Sequence, residues 1–326
     1  METQLISGAL LGSIVGDALG VPVEFIPRDR LTRQPVVGMR GFGTHNQPAG
    51  TWSDDSSMLL ATVVSLTEKG VDYQDVMERF LGWLRNGEYT PNGLSFGVGV
   101  STERSISRFE GGLTPLKCGG IEESDNGNGA LMRVLPLVFV LRKKFGNDFN
   151  SLPEAYDIIH NYAKLTHGHP RNLMACGIYV SIANELLNRT ERRLKNYKGH
   201  AISVGLKKAR DYYQGMPTFQ AESAYFARIF NTYFGMLPRK EIKNTGYVVD
   251  SLEASLWSFI NGRNYADCVM KAVNLGGDTD TNAAICGGLA GIYYEFSSIP
   301  EEWLAQLQRK DWIEETLKAF AEKYAE

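Results

Sequence analysis

Glycine recurs every fourth residue at Gly8, Gly12, Gly16 and Gly20, and the same spacing returns near the other end of the chain at Ala283, Gly287 and Gly291. Each glycine inside a helix costs about 1 kcal/mol relative to alanine. Two such stripes therefore point to helix faces whose lack of side chains is useful. Close helix-to-helix packing is the favoured use, ahead of direct ligand contact. If these two helices pack in the middle of the fold, acidic residues at their ends are drawn together from opposite ends of the sequence.

The rest of the chain is dominated by helical spacing of apolar residues, as in Val76, Phe80, Leu81 and Leu84, then Ala155, Ile158, Ile159 and Tyr162, then Leu252, Leu256, Trp257 and Ile260. The expected fold class is all-α. Val134 to Leu141 has the composition of a buried strand but runs into Arg142, Lys143 and Lys144, as a helix end would, and is read as helix. Asn188 to Arg210 is the most polar stretch and is read as a solvated pair of surface helices.

Basic and acidic residues nearly balance, 34 against 37, so no global positive field argues for a nucleic-acid backbone as partner. Cys118, Cys176, Cys268 and Cys286 stand far apart without a Cys-x-x-Cys pair, which excludes a zinc knuckle and a disulfide framework and fits a reducing cytoplasm. Leu5 to Leu19 is apolar, but Glu2 stands where a signal peptide is positive and Asp17 interrupts the run, so neither a signal peptide nor a membrane span is expected.

Three acidic places stand out: Glu24, the run Ser53-Asp54-Asp55-Ser56, and Gly276-Gly277-Asp278-Thr279-Asp280-Thr281. Taken singly, the second and third read as helix N-termini, a hydroxyl cap followed by acids in the first turn. Taken together, carboxylates interleaved with hydroxyls are the ligands that hard divalent cations such as Mg²⁺ require. Glu24, Asp54, Asp55, Asp278 and Asp280 carry −5, which two divalent cations would bring to −1. Without metal the clustered carboxylates would repel one another and several would take up protons.

Gly-Asp-Ala-Leu-Gly at 16–20 with Glu24, Gly-Thr-Trp-Ser-Asp-Asp-Ser at 50–56, Gly-Asn-Gly-Ala-Leu-Met-Arg at 127–133 and Asn-Leu-Gly-Gly-Asp-Thr-Asp-Thr at 274–281 resemble the ADP-ribosylglycohydrolase family, in its order and over nearly the whole chain. The resemblance implies an all-α fold, one compact multi-helix domain over residues 1–326, with two Mg²⁺ or Mn²⁺ ions at the bottom of a dinuclear metal cleft. It implies Ser53, Asp54, Asp55, Asp278, Asp280 and Thr281 as metal ligands, with Glu24, Asp55 and Asp280 carrying the chemistry. Ser53 and Ser56 depart from the family's usual threonines, which keeps the hydroxyl and frees χ1.

Asn126-Gly127-Asn128-Gly129 offers unobstructed backbone N–H groups at what reads as a helix start. By itself it would be a turn; the resemblance makes it a cradle for the diphosphate of ADP-ribose. Ser95, Gly97 and Gly99 form a second small-residue loop of the same type. The resemblance places His167 at the ADP-ribose and leaves His169 a loop residue. Tyr247 either stacks on adenine or packs in the core.

The expected function is metal-dependent removal of ADP-ribose from modified protein side chains, foremost arginine, with the ADP-ribosylated protein and ADP-ribose as partners. Two alternatives stay open: an immunity or binding protein that neutralises an ADP-ribosylating toxin partner by occlusion, and a two-metal nucleotide phosphohydrolase.

Overall fold

The computed structural model describes residues 2–188, 196–231 and 233–325. Among these there is no sheet, and the α-helices run in order α1 Glu2–Gly20, α2 Arg28–Arg33, α3 Asp54–Lys69, α4 Tyr73–Asn86, α5 Val100–Glu110, α6 Leu137–Phe145, α7 Pro153–Lys164, α8 Pro170–Leu186, α9 Tyr197–Gln214, α10 Pro217–Gln220, α11 Val248–Asn261, α12 Tyr265–Val273, α13 Thr279–Tyr294, α14 Glu301–Gln306 and α15 Lys310–Tyr324. The fold is all-α.

The two glycine stripes meet each other. A methyl group built on Gly8 would lie 2.6 Å from the Gly291 carbonyl oxygen, and one on Gly12, Gly16 or Gly20 would run into the backbone of Gly287, Ala283 or Asp280. The descending partner numbers make α1 and α13 antiparallel, in backbone contact along their length. Backbones approach this closely only where Cβ atoms are missing. The Tyr265 hydroxyl donates to the Gly12 carbonyl at 2.7 Å and locks α12 against the pair. Although α1 is long and apolar enough to cross a membrane, 94% of that stretch is buried inside the fold. It is the central core helix, flanked by α3, α12, α13 and α15.

The antiparallel register decides where the site forms. The C-terminal end of α1 and the N-terminal end of α13 lie at the same pole, with Gly20 over Asp280. There the chain after α1 pairs with the chain before α13: Phe25 N–H donates to Gly277 O at 2.7 Å and Gly277 N–H to Ile26 O at 3.0 Å.

Two expectations are corrected in detail. The helix read from Val134 begins only at Leu137, because Pro136 stands at its start without an N–H to donate, and residues 135–136 are turn. The polar stretch from Asn188 is in part outside the described residues (189–195); what is described is one helix, α9, whose Tyr197, Ala201, Ile202, Gly205, Ala209 and Tyr213 are buried against α8. It is amphipathic, not a solvated pair.

Candidate active site

Asp17 organises the pole although sequence reading treated it only as an interruption of an apolar run. It sits in the middle of the last turns of α1, fully buried. Its carboxylate accepts from Ser53 N–H at 3.0 Å, Ser56 N–H at 2.9 Å and the Ser56 hydroxyl at 2.5 Å. Those are donors at the start of α3 that a helix leaves unpaired. Ser53 adds its own cap, its Oγ accepting from Asp55 N–H at 3.3 Å. Asp54 and Asp55 are thereby free of capping duty. The signal in the sequence was a lone charge inside an apolar helix, which is tolerated in a core only when its oxygens are satisfied. Asp17→Ala orphans the α3 donors. It is expected to cost about 1–3 kcal/mol, the penalty for unpaired buried polar groups, read as a lowered urea midpoint with unchanged m-value.

At α13 the cap reading fails. Asp278 occupies the cap position without a side-chain cap bond, and the Thr279 hydroxyl donates instead to Gly20 O at 2.8 Å, tying α13 to α1. Asp280 Oδ1 accepts from Thr281 N–H at 3.0 Å. Thr281 Oγ1 donates to Asp55 Oδ2 at 3.1 Å, which joins the two acidic runs directly. One carboxylate oxygen from each of Asp17, Asp55 and Asp280 lies within 4.8 Å of the others, as do single ligand atoms of Glu24, His45 and Asp280.

Burial and mutual repulsion load this cluster with electrostatic strain. Burial raises Asp17 to about 6, against the hydrogen bonds of Ser56 and Ser53. Asp54 and Asp55 rise well above the carboxylate range, through burial first and then through Asp17 and neighbouring acids. Asp280 does the same, from burial and then Glu24, Asp278 and Asp55. Asp55 Oδ1 is buried without a hydrogen-bond partner. An all-oxygen donor set with an orphaned carboxylate oxygen fits hard divalent cations, which would replace protons as the compensating charge. The candidate holders are Glu24, Ser53, Asp54, Asp55, Asp278, Asp280 and Thr281.

His45 is the second residue missed. Its Nε2 is hydrogen-bonded to Glu24 Oε2, and Thr44 Oγ1 donates to Glu24 O at 2.7 Å. The turn Gly43–His45 thus grips Glu24 from both ends. No motif in the sequence announced this, since the contact joins two loops.

Above the acids opens a cavity of about 740 Å³, lined by Glu24, Asp54, Asp278 and Asp280 on the floor and by Gly97, Gly127, Gly129 and His167 among its walls. That volume is within the range that holds a drug-sized ligand. Gly97 is required on two counts: its φ is +80°, and a side chain would meet Asp54 Oδ1 at 2.5 Å. Gly99 lines the same wall, whereas Ser95 stands aside, its hydroxyl donating to Leu84 O at 3.3 Å.

The Asn126–Gly129 segment does not start an α-helix; it is followed by a single 3₁₀ turn, Leu131–Arg133. The reason is pairing: Asn128 N–H donates to Gly246 O at 3.1 Å and Val248 N–H to Asn126 O at 2.9 Å, which commits to distant chain two backbone groups that a helix starting here would use itself. A side chain on Gly129 would press on Thr102 Oγ1 at 2.7 Å and His167 Cε1 at 2.9 Å, so the glycine serves the packing of the wall. Arg133 fixes that wall, donating to Gly129 O and, at 3.0 Å, to Tyr162 O. Asn128 lines the cavity and donates to Asp278 Oδ2 at 2.6 Å and Ser251 Oγ at 2.8 Å, which orients the carboxylate. Asn126 is buried below, donating to Glu123 O at 3.2 Å.

His167 faces the cavity with Nδ1 bonded to Thr166 Oγ1 at 2.8 Å. Burial, reinforced by the Arg133 cation, lowers it to about 3, so it meets a ligand as neutral imidazole. His169 caps α8, accepting from Arg171 N–H at 3.2 Å. Tyr247 stands outside the cavity wall; its hydroxyl accepts from Arg171 at 3.0 Å, and its backbone pairs with Gly127.

Comparison with known proteins shows which family the chain belongs to. The chain is 31% identical to the ADP-ribosylarginine hydrolase Tri1 of Serratia proteamaculans (strain 568), over 94% of this chain and 76% of that one. It is 30% identical to the ADP-ribosyl-[dinitrogen reductase] glycohydrolase of Rhodospirillum rubrum, over 93% and 90%. A solved structure described as an ADP-ribosylglycohydrolase-related protein complex superposes with a TM-score of 0.77 at 30% identity, covering 98% of both chains. The ADP-ribosylglycohydrolase family model matches residues 2–326, and the chain belongs to that family of ADP-ribose-removing hydrolases.

Proposed function

We propose that the chain releases ADP-ribose from arginine side chains of modified proteins, with two divalent cations, Mg²⁺ or Mn²⁺, held by the acidic pole, the whole chain acting as one catalytic domain. The observation that carries this reading is the convergence of Glu24, Asp54, Asp278 and Asp280 on one cavity, with Asp55 beside Asp280 and glycine backbone among the walls. The arginine linkage follows the printed activity of the Tri1 relatives.

The reaction replaces the C1″–N bond of the distal ribose by a C1″–OH bond; water supplies the hydroxyl, and its other hydrogen ends on the departing guanidine. Charge builds at C1″ as an oxocarbenium-like transition state, which carboxylates below it stabilise. Glu24 takes the water's proton in this reading, and the His45 hydrogen bond that fixes its carboxylate supports the assignment. Asn128 holds Asp278 in place, and the neutral His167 offers a hydrogen bond without adding charge. The cations supply Lewis-acid chemistry and neutralise the repelling acids. Gly127 and Gly129 allow the diphosphate to approach backbone.

Purified protein with Mg²⁺ or Mn²⁺ is expected to free ADP-ribose from arginine-linked substrate faster than from serine-linked or O-acetylated ADP-ribose, and EDTA to stop it. Release from none of the three, with ADP-ribose still bound, would make the chain a binder instead.

A further inference from the structure

Phe25 combines two features that a packing residue avoids. Its ring is 67% exposed. Its φ is +63°, a left-handed conformation that bulky side chains rarely adopt. The backbone is held there by the Phe25 and Ile26 hydrogen bonds to Gly277, so the strain is imposed by the junction that also places Glu24 beside Asp278. Strain of this kind persists where the surroundings enforce it, and it clusters at ligand clamps. The ring lines the acidic cavity, immediately after Glu24 in the chain. It stands 6.3 Å from the His45 ring, which stands 5.1 Å from Phe96. The carboxylate of Glu24 thus lies beside a row of aromatic rings, Phe25, His45 and Phe96, of which Phe25 is the exposed one.

That combination has a chemical preference. A guanidinium is planar, weakly hydrated and always charged; it stacks on aromatic faces while its edge pairs with carboxylates. A serine hydroxyl has neither property. An arginine bonded to ribose keeps its cationic guanidinium, so the preference acts on the bound substrate.

We infer that Phe25 is a specificity-determining residue for arginine-linked substrates, its ring taking the face of the guanidinium at the mouth of the cavity. The inference rests on the arginine reading proposed above and adds the residue that selects the linkage. Phe25→Leu keeps bulk and hydrophobicity and removes the π face, while Phe25→Trp restores it.

With Mn²⁺ saturating, Phe25→Leu is expected to lower kcat/KM for ADP-ribosyl-arginine about tenfold, mainly through KM, a loss between those of an exposed and a desolvated cation–π contact. Phe25→Trp should recover most of it. Calorimetry with free ADP-ribose, which carries no guanidinium, should give the same Kd for wild type and both variants, which also shows that Glu24 has not been displaced. Unimpaired kcat/KM in Phe25→Leu, or an ADP-ribose Kd that worsens in step, overturns the inference while leaving the arginine activity standing. A wild type that releases nothing from arginine overturns both.

Discussion

Asp280→Ala is expected to remove ADP-ribose release while leaving a folded protein that is more stable than wild type in EDTA. Asp280 belongs to both groups of converging ligand atoms, with Asp17 and Asp55 on one side and Glu24 and His45 on the other. Its loss should therefore lower activity by more than about 100-fold, since even an outer partner of a metal ligand costs 10–100-fold. The stability effect has the opposite sign. Burial and neighbouring acids hold the Asp280 carboxyl well above its unfolded value. A carboxyl raised by folding contributes stability that is fully present below its unfolded pKa and is lost as pH rises through the folded one. At neutral pH without metal, wild type keeps the penalty of compressed acids, and the variant relieves part of it. Thermal midpoints in EDTA between pH 5 and 8 should fall with rising pH in wild type and fall less in Asp280→Ala. Wild-type activity in the variant at limiting Mg²⁺, or a lower midpoint in EDTA throughout, would return Asp280 to a purely structural role.

The second large effect lies away from the chemistry. Gly16→Val is expected to prevent α1 and α13 from packing, because the added Cβ falls on the backbone of Ala283 and Ala284, which cannot rotate away as a side chain can. Overpacking ordinarily costs about 1–3 kcal/mol; a backbone collision at the central helix pair should exceed about 4 kcal/mol, the exceptional range for a point substitution. The expected readout is a protein that is insoluble or unfolded at low urea. Gly215→Ala is the contrast: nothing stands within 4 Å of a methyl group there, and its urea midpoint should stay at wild type or rise. Near-equal midpoints for Gly16→Val and Gly215→Ala would show that the two helices are not in obligatory backbone contact.

The periodicity and the two stripes made the all-α fold and the helix pair legible in the sequence, because close approach demands missing side chains and the four-residue spacing of that requirement is visible in one dimension. The acidic runs were legible for a similar reason: each lies within a few residues of chain. The structure alone decided which side chains partner these carboxylates. Asp17 turned out to cap α3 from another helix, and His45 to hold Glu24, through contacts between segments 36 and 21 residues apart that no local pattern records. The same is true of Asn126–Gly129, whose glycines suggested a helix start, whereas its backbone pairs with Gly246 and Val248, more than a hundred residues away. Local propensity competes with backbone hydrogen bonding to distant chain, and the winner depends on what the antiparallel α1–α13 register brings alongside. Sequence by itself determined the helices, their packing faces and the residue types available for chemistry. Tertiary structure decided their pairing, since hydrogen bonds and charge repulsion at a buried pole depend on distances that only the folded chain sets.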